Sequence, residues 1–177
     1  MIGLTEIARR TIEEHFKGKE FIPDDKTKEY YKEKQACFVT LTFGGKLRGC
    51  IGSLEARQEL WKNVAENAVS AAFYDTRFIP LKKEELKKIK IEVSVLSPPR
   101  RLEFRDEDDL LEKIDNKMGI ILEKNGDKAT FLPQVWEEIP DKTEFLEQLS
   151  MKAGLDKNAW RQKGTNFQYY RADVENE

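Results

Sequence analysis

The chain has 177 residues, 39% of them hydrophobic and 36% charged, with a formal net charge of −2 at pH 7. This length can bury a core without disulfides or metals, and the nearly balanced charge argues against a large basic surface for nucleic acid. No apolar run reaches the ~18 residues that span a membrane, and two cysteines with one histidine are too few for a Cys/His zinc site. We therefore expect one cytoplasmic domain over residues 1–177, with room for two lobes, and no metal.

The N-terminal segment predicts a helix followed by an irregular stretch. Apolar residues recur at helical spacing from residue 3 to residue 17, and Gly18 is placed to end that helix. Residues 19–35 are charged and show no periodicity, so we predict no regular element there.

Residues 37–43 and 46–52 predict a β-hairpin around a Gly-Gly turn. A two-residue loop would mix polar and apolar side chains on one face. A three-residue loop pairs Phe43 with Leu47 and sorts the two faces by polarity, so we prefer it. The preferred register places four polar side chains on one face: Thr40, Thr42, Arg48 and Cys50.

The rest of the chain alternates helical and strand signals. The predicted elements are, in order, a helix over 57–73, a strand over 89–95, a helix over 106–114 capped by Asp106, a hairpin around Asn125-Gly126, a short helix opened by Pro133, a helix from Thr143 to Gly154 and a strand over 167–171. Helices and antiparallel hairpins intermingle without a regular βαβ repeat. This pattern predicts the α+β class, with antiparallel sheets and packed helices.

The stretch Leu47–Gly52, with the sequence LRGCIG, carries the strongest chemical signal. Residues i and i+2 of a strand point to the same face, so Arg48 and Cys50 should lie together. Thiolates are favoured beside cations, which makes Cys50 a candidate nucleophile. Gly49 and Gly52 leave the backbone open to the close approach of a ligand.

Each of these residues also has a purely structural interpretation. Cysteine is among the most buried residue types, so Cys50 could simply fill a strand position. Arg48 could form a salt bridge to Asp75 or Glu55 instead of binding an anion.

The same alternatives apply to the neighbouring segments. Gly49 and Gly52 could serve only to let the alanine-rich helix 57–73 pack closely. Asp75 and Arg77 follow that helix in a predicted loop, where they could carry function or form a local ion pair.

The chain resembles the AMMECR family over nearly its whole length. The matching segments, in the expected order, are Phe38-Val39-Thr40-Leu41, Leu47–Gly52, Ala71-Ala72-Phe73 with Asp75, Arg77, Phe78 and Pro80, Ile91–Pro99, Phe131–Trp136 and Lys152–Leu155. The resemblance implies an α+β domain, often described as two lobes, whose biochemical activity is not settled. It also implies partners, since prokaryotic members resemble component A of a three-part system with a Memo-like protein and a radical-SAM protein. Some relatives have a histidine before the glycine that matches Gly119, but here that residue is Met118, so a Cys–His pair is not available.

Two functional hypotheses follow, and a nucleic-acid binder is the least favoured third. The first is an enzyme or enzyme subunit that uses Cys50 for group transfer, with no cofactor identified. The alternative is a non-catalytic binding or adaptor module that uses the same face for a protein or a small anionic ligand. The predicted binding residues for both are Arg48, Gly49, Gly52, Thr40, Thr42, Asp75 and Arg77.

Overall fold

A computed structural model describes all 177 residues, and their contacts divide the chain into two compact units. Unit 1 comprises Met1–Leu96 together with Asp173–Glu177, and unit 2 comprises Ser97–Ala172. Each unit contains a four-stranded sheet and its own apolar core. The predicted α+β class is confirmed.

The strands are β1 (Ala36–Phe43), β2 (Lys46–Gly52), β3 (Ile89–Leu96), β4 (Arg100–Arg101), β5 (Gly119–Lys124), β6 (Asp127–Phe131), β7 (Asn166–Tyr170) and β8 (Ala172–Asn176). The α-helices are α1 (Leu4–His15), α2 (Asp25–Tyr30), α3 (Leu60–Val69), α4 (Glu107–Lys113), α5 (Val135–Glu138) and α6 (Lys142–Lys152). Short 3₁₀ turns lie at Lys83–Glu85 and Ala159–Arg161, and α3 continues as a π-helical turn over Ser70–Tyr74. None of the helices combines the length and the apolar character needed to cross a membrane.

Unit 1 packs α1 and α3 against a sheet of order β2-β1-β3-β8. The predicted N-terminal helix is present, and its apolar residues Ile7, Ala8 and Ile12 are fully buried. The prediction of an irregular segment over 19–35 is wrong at α2, whose N-cap Asp24 accepts a hydrogen bond from the Thr27 amide. A helix this short has too few turns to show apolar periodicity.

The β1–β2 hairpin follows the predicted register only in part. Leu41 pairs with Gly49 as predicted, but Phe43 pairs with Lys46 and not with Leu47. The two turn glycines have φ of +58° and +78°, which fits a two-residue hairpin turn. A bulge after Leu41 absorbs the extra residue, and Arg48 has no partner on β1. The predicted face of four polar residues is therefore wrong for Arg48.

Unit 2 contains a sheet of order β4-β7-β5-β6. The predicted hairpin around Asn125-Gly126 joins β5 to β6, and Asp106 caps α4 as predicted. In the core, the Trp136 ring stacks on Phe145 with ring centroids 3.6 Å apart. The predicted last strand corresponds to β7, whereas β8 was not predicted from the sequence.

β8 brings the end of the chain back into unit 1, beside β3. The Glu175 carboxylate accepts hydrogen bonds of 2.9 Å from the amide and the hydroxyl of Thr5, in the first turn of α1. The Glu177 carboxylate pairs with the Arg9 guanidinium, which also donates to the carbonyl oxygens of Leu86 and Ile89. Gly3, the N-cap of α1, provides no side-chain cap, so the C-terminal strand satisfies this helix end.

We expect Arg9→Met to lower the free energy of unfolding of unit 1 by about 2 kcal/mol, because it leaves carbonyl groups and a carboxylate without their partner. The matched control is Arg10→Met, since Arg10 forms an exposed pair with Glu6 and its guanidinium lies 5.9 Å from the centre of the Phe21 ring, with no contact to Glu177. That control should change stability by less than about 1 kcal/mol. Urea unfolding followed by circular dichroism compares the two variants, and equal losses would contradict the assigned role of Arg9.

Candidate functional site

Cys50 lies on β2, the edge strand of the unit 1 sheet, directly opposite Thr40. Its Sγ lies 3.3 Å from the Thr40 Oγ1 atom, within hydrogen-bonding distance. Burial raises the pKa of the Cys50 thiol, and the hydrogen bond to Thr40 and the positive charge of Arg77 only partly oppose this. The thiol is therefore protonated at neutral pH, and the activation by Arg48 that the motif suggested is not provided.

Asp75 and Arg77 hold the backbone of Cys50. The Cys50 amide donates to Asp75 Oδ2 at 2.9 Å, and Arg77 Nη2 donates to the Cys50 carbonyl oxygen at 3.1 Å. The two side chains are also joined to each other, with Arg77 Nε 2.9 Å from Asp75 Oδ1 and Nη2 2.7 Å from Oδ2. We call this arrangement of Asp75, Arg77 and the Cys50 backbone the clamp.

The clamp takes the place of a neighbouring strand. Because β2 lies at the edge of its sheet, the outward amide and carbonyl of Cys50 have no partner strand. Asp75 supplies the acceptor and Arg77 the donor that a further strand would supply. The loop after the π-helical turn is thereby fixed to the sheet at Cys50.

The charges in the clamp are unequally exposed. The Asp75 side chain is only 3% exposed, whereas that of Arg77 is 55% exposed. Hydrogen bonds from Arg77 lower the pKa of Asp75 to about 2, and burial opposes this effect. The hydrogen bond to Asp75 also raises the pKa of Arg77. Both groups are therefore charged at neutral pH, and all the acceptor capacity observed for Asp75 serves Arg77 and the Cys50 amide.

Arg48 points away from Cys50, toward the segment after the loop. Its guanidinium forms a two-pronged salt bridge to Glu85, at 2.8 Å and 3.0 Å, and donates to the Ile79 carbonyl at 3.0 Å. The expected partners were wrong, since Asp75 pairs with Arg77 and Glu55 with Arg57.

Glu85 is the residue that sequence reasoning missed. The hydrogen bond from Arg48 lowers the pKa of the Glu85 carboxyl, and its carboxylate also accepts the Lys82 amide at 2.8 Å. The sequence placed Glu85 among lysines, which is typical of a solvated face. The bulge in β2 is what directs Arg48 toward it, and no sequence signal identified that bulge.

The two glycines of the motif are required by close packing. A Cβ at position 49 would lie 2.2 Å from the carbonyl oxygen of Ala71, so Gly49 lets the π-helical turn rest on β2. A Cβ at position 52 would lie 2.3 Å from the Phe38 ring and 2.4 Å from the Cys37 carbonyl. The structural interpretation through the alanine-rich helix therefore applies to Gly49, while Gly52 makes room for β1.

The structure brings together Cys50, Thr40, Asp75 and Arg77 among the predicted site residues. Thr42 pairs with Leu47 and Lys90, nearer the hairpin turn. No group of three or more His, Cys, Asp or Glu side chains is close enough together to hold a metal ion. The arrangement orders a strand edge and a loop, and it contains no base in contact with the thiol. The functional roles of these residues stay predictions.

Comparisons with known proteins establish the family. The AMMECR1 family model matches residues 5–174. Protein NEQ441 of Nanoarchaeum equitans is 38% identical over 176 residues, which cover 98% of both chains. A protein of Aquifex aeolicus is 38% identical over 179 residues, covering 97% of this chain and 89% of its own. The crystal structure of the uncharacterized protein PH0010 from Pyrococcus horikoshii is 37% identical, with a TM-score of 0.91 over 98% of this chain and 89% of that one.

The chain therefore belongs to the AMMECR1 family. These relatives carry generic names that state no activity. The resemblance inferred from the motifs is confirmed at the level of the family.

We expect Asp75→Asn to remove a stability contribution of about 1–2 kcal/mol at pH 7, since the exposed half of Arg77 weakens the pair. The folded pKa of Asp75 lies below its unfolded value of ~3.9. Its contribution is therefore fully present above about pH 4 and is lost as the pH falls toward 2. Urea unfolding between pH 2.5 and 7 should show a smaller acid dependence in Asp75→Asn than in the wild type.

The control for this experiment is Asp173→Asn, because Asp173 is exposed, lies in unit 1 and forms no salt bridge. It should keep the acid dependence of the wild type. The same pH profile in Asp75→Asn and in the wild type would show that the clamp does not stabilise the fold.

Proposed function

We propose that this chain is a non-catalytic binding module, with the loop Tyr74–Pro80 as its contact surface. One observation carries the proposal. Asp75 and Arg77 bind each other and the Cys50 backbone, while Tyr74 and Ile79 of the same loop are exposed to solvent. The clamp therefore supports presentation of a surface and not chemistry at the thiol.

Three features of Cys50 argue against nucleophilic catalysis. Burial raises its pKa, its only side-chain hydrogen bond is to the Thr40 hydroxyl, and Arg48 is paired with Glu85. A nucleophilic thiol needs a cation or a base that favours the thiolate. Neither Thr40 nor the engaged Asp75 carboxylate can act as that base.

The loop presents side chains suited to a protein interface. Tyr74 and Ile79 are 66% and 67% exposed, and the Arg77 guanidinium lies 5.5 Å from the centre of the Phe78 ring. Tyrosine and arginine are enriched among the residues that dominate binding energy.

The loop is also held in one conformation. The Phe78 amide donates to the Asp75 carbonyl at 3.0 Å, and the Leu81 amide donates to the Ala72 carbonyl at 2.7 Å. A preorganised loop loses less conformational entropy on binding, which favours a role as a contact surface.

Membership of the AMMECR1 family supports a choice of partners. Its prokaryotic members resemble one component of a system with a Memo-like protein and a radical-SAM protein, and we propose these two as partners in the cytoplasm. The free thiols of Cys37 and Cys50 fit that reducing compartment. A small anionic ligand on the exposed half of Arg77 is the alternative occupant of the same face.

Binding of the Memo-like and radical-SAM proteins from the same genome tests the proposal. Tyr74→Ala should weaken binding to at least one of them by about tenfold or more, as expected for an interfacial tyrosine. The matched control is Tyr30→Ala, because Tyr30 is 64% exposed on α2. Isothermal titration calorimetry measures both variants. Equal affinities for the two variants would show that the loop is not part of the interface.

The pH dependence of Cys50 alkylation tests the alternative hypothesis of catalysis at this thiol. In a Cys37→Ala background, we expect slow labelling with an apparent pKa above the free value of ~8.5, and unchanged partner affinity in Cys50→Ser. Cys37 itself is buried, and burial raises its pKa to about 12. Fast labelling with an apparent pKa well below 8.5 would contradict the proposal and favour an activated thiol.

A further inference from the structure

We infer that the end of unit 1 at the β1–β2 turn docks an acidic face of a protein partner. This deepens the proposed function, on which it rests, by assigning the chemistry of the partner. The surface is defined by six lysines, which we call the basic surface: Lys46, Lys82, Lys83, Lys87, Lys88 and Lys90.

The strand pairing gathers these lysines at one end of the sheet. Phe43 lies between Lys46 on β2 and Ile89 on β3, so the three backbones span two strand spacings, or about 10 Å. Lys88 precedes and Lys90 follows Ile89, the first residue of β3, so both lie at the same end of the sheet as the hairpin turn. Arg48 donates to the Ile79 carbonyl and pairs with Glu85, which fixes the segment containing Lys82 and Lys83 along the outer side of β2.

The ammonium groups of the six lysines are not held in salt bridges, although the charge of Lys82 acts on the Glu85 carboxyl. None of them forms a salt bridge, whereas Lys17, Lys28 and Lys32 of the same unit each pair with a carboxylate three residues away. Five lysines and two glutamates occupy residues 82–90, and one of these glutamates is neutralised by Arg48. In a chain of net charge −2, this concentration of unpaired positive charge is local. It provides electrostatic complementarity to a negatively charged surface.

Apolar side chains are exposed at the same end of the unit 1 sheet, Phe43 in the pair with Lys46 and Leu47 in the pair with Thr42, and they favour a folded protein as the occupant. Phe43 and Leu47 are 37% and 45% exposed, and Ile79 is 67% exposed. Nucleic-acid backbones offer phosphates but little apolar surface for such side chains. A membrane would need them to insert ~5–10 Å, whereas Phe43 and Leu47 are mostly covered by their own unit. A protein face that presents both carboxylates and apolar side chains matches both features.

Charge reversal on the basic surface tests this inference. The variant combines Lys46→Glu, Lys83→Glu and Lys87→Glu, and the control combines Lys128→Glu, Lys157→Glu and Lys163→Glu in unit 2. The substituted lysines, three in each variant, are exposed and form no salt bridge. Both variants therefore change the net charge equally. At low salt we expect the first variant to lose about 30-fold or more in affinity for the Memo-like or radical-SAM partner, and the control less than about threefold. The affinity of the wild type should fall as salt rises.

A second set of probes separates failure of this inference from failure of the proposed function. The probes are the acidic peptide (Glu-Leu-Asp-Ser)₄, its neutral counterpart (Gln-Leu-Asn-Ser)₄, a 30-base-pair DNA duplex, and vesicles containing 30% phosphatidylserine. If neither the Memo-like nor the radical-SAM protein binds, the proposal that they are the partners is wrong. Selective loss of the acidic peptide in the first variant would still support the inference.

The remaining outcomes overturn the inference. If partner binding depends on Tyr74 but not on the basic surface, the proposed function stands, and the inference that the partner presents an acidic face is wrong. A selective loss of DNA or vesicle binding in the first variant would assign the surface to nucleic acid or membrane instead. Equal losses of acidic-peptide binding in both triple variants would show only nonspecific charge attraction.

Discussion

The hydrogen bonds from Asp75 and Arg77 to the Cys50 backbone are the constraint on which the geometry of this region depends. An edge strand leaves amide and carbonyl groups without partners, and here one carboxylate and one guanidinium satisfy them. The same contact fixes the loop that follows the π-helical turn. Arg48 extends this attachment to Glu85 and the Ile79 carbonyl, so two arginines tie one segment along β2. The hydrogen bonds that satisfy the edge strand therefore also hold the candidate contact surface in place.

The LRGCIG motif is accounted for largely by packing. Gly49 admits the carbonyl of Ala71 at a distance that no side chain would allow, and Gly52 makes room for Phe38. Cys50 contributes its backbone to the clamp and a protonated thiol to Thr40. A substitution in this motif can thus displace the loop through the backbone, without any chemistry at sulfur.

Local signals predicted much of the fold. The apolar stripe of α1, the Asn125-Gly126 turn and the Asp106 cap each depend on a few consecutive residues, and all three are present. The missed elements depend on distant partners. β8 is polar and exposed, and it is a strand because it lies beside β3. The bulge in β2 similarly depends on the two-residue turn, and with it the salt bridge of Arg48 to Glu85.

The candidate site shows the same division between local and distant information. Sequence reasoning identified Cys50, Asp75 and Arg77 but could not tell whether they meet, because 25 positions separate Cys50 from Asp75. It also treated Arg48 as a neighbour of the thiol, although strand alternation fails at a bulge. This single irregularity moves the Arg48 guanidinium from Cys50 to Glu85. Arg77 is then the cation that favours the ionised thiol, and burial outweighs its effect on the pKa of Cys50. Two glutamates lie among the lysines of residues 82–90. Glu85 is paired with Arg48, so only Glu84 has no salt bridge. The geometry that weakens the case for catalysis at Cys50 is thus the same geometry that leaves the basic surface positively charged.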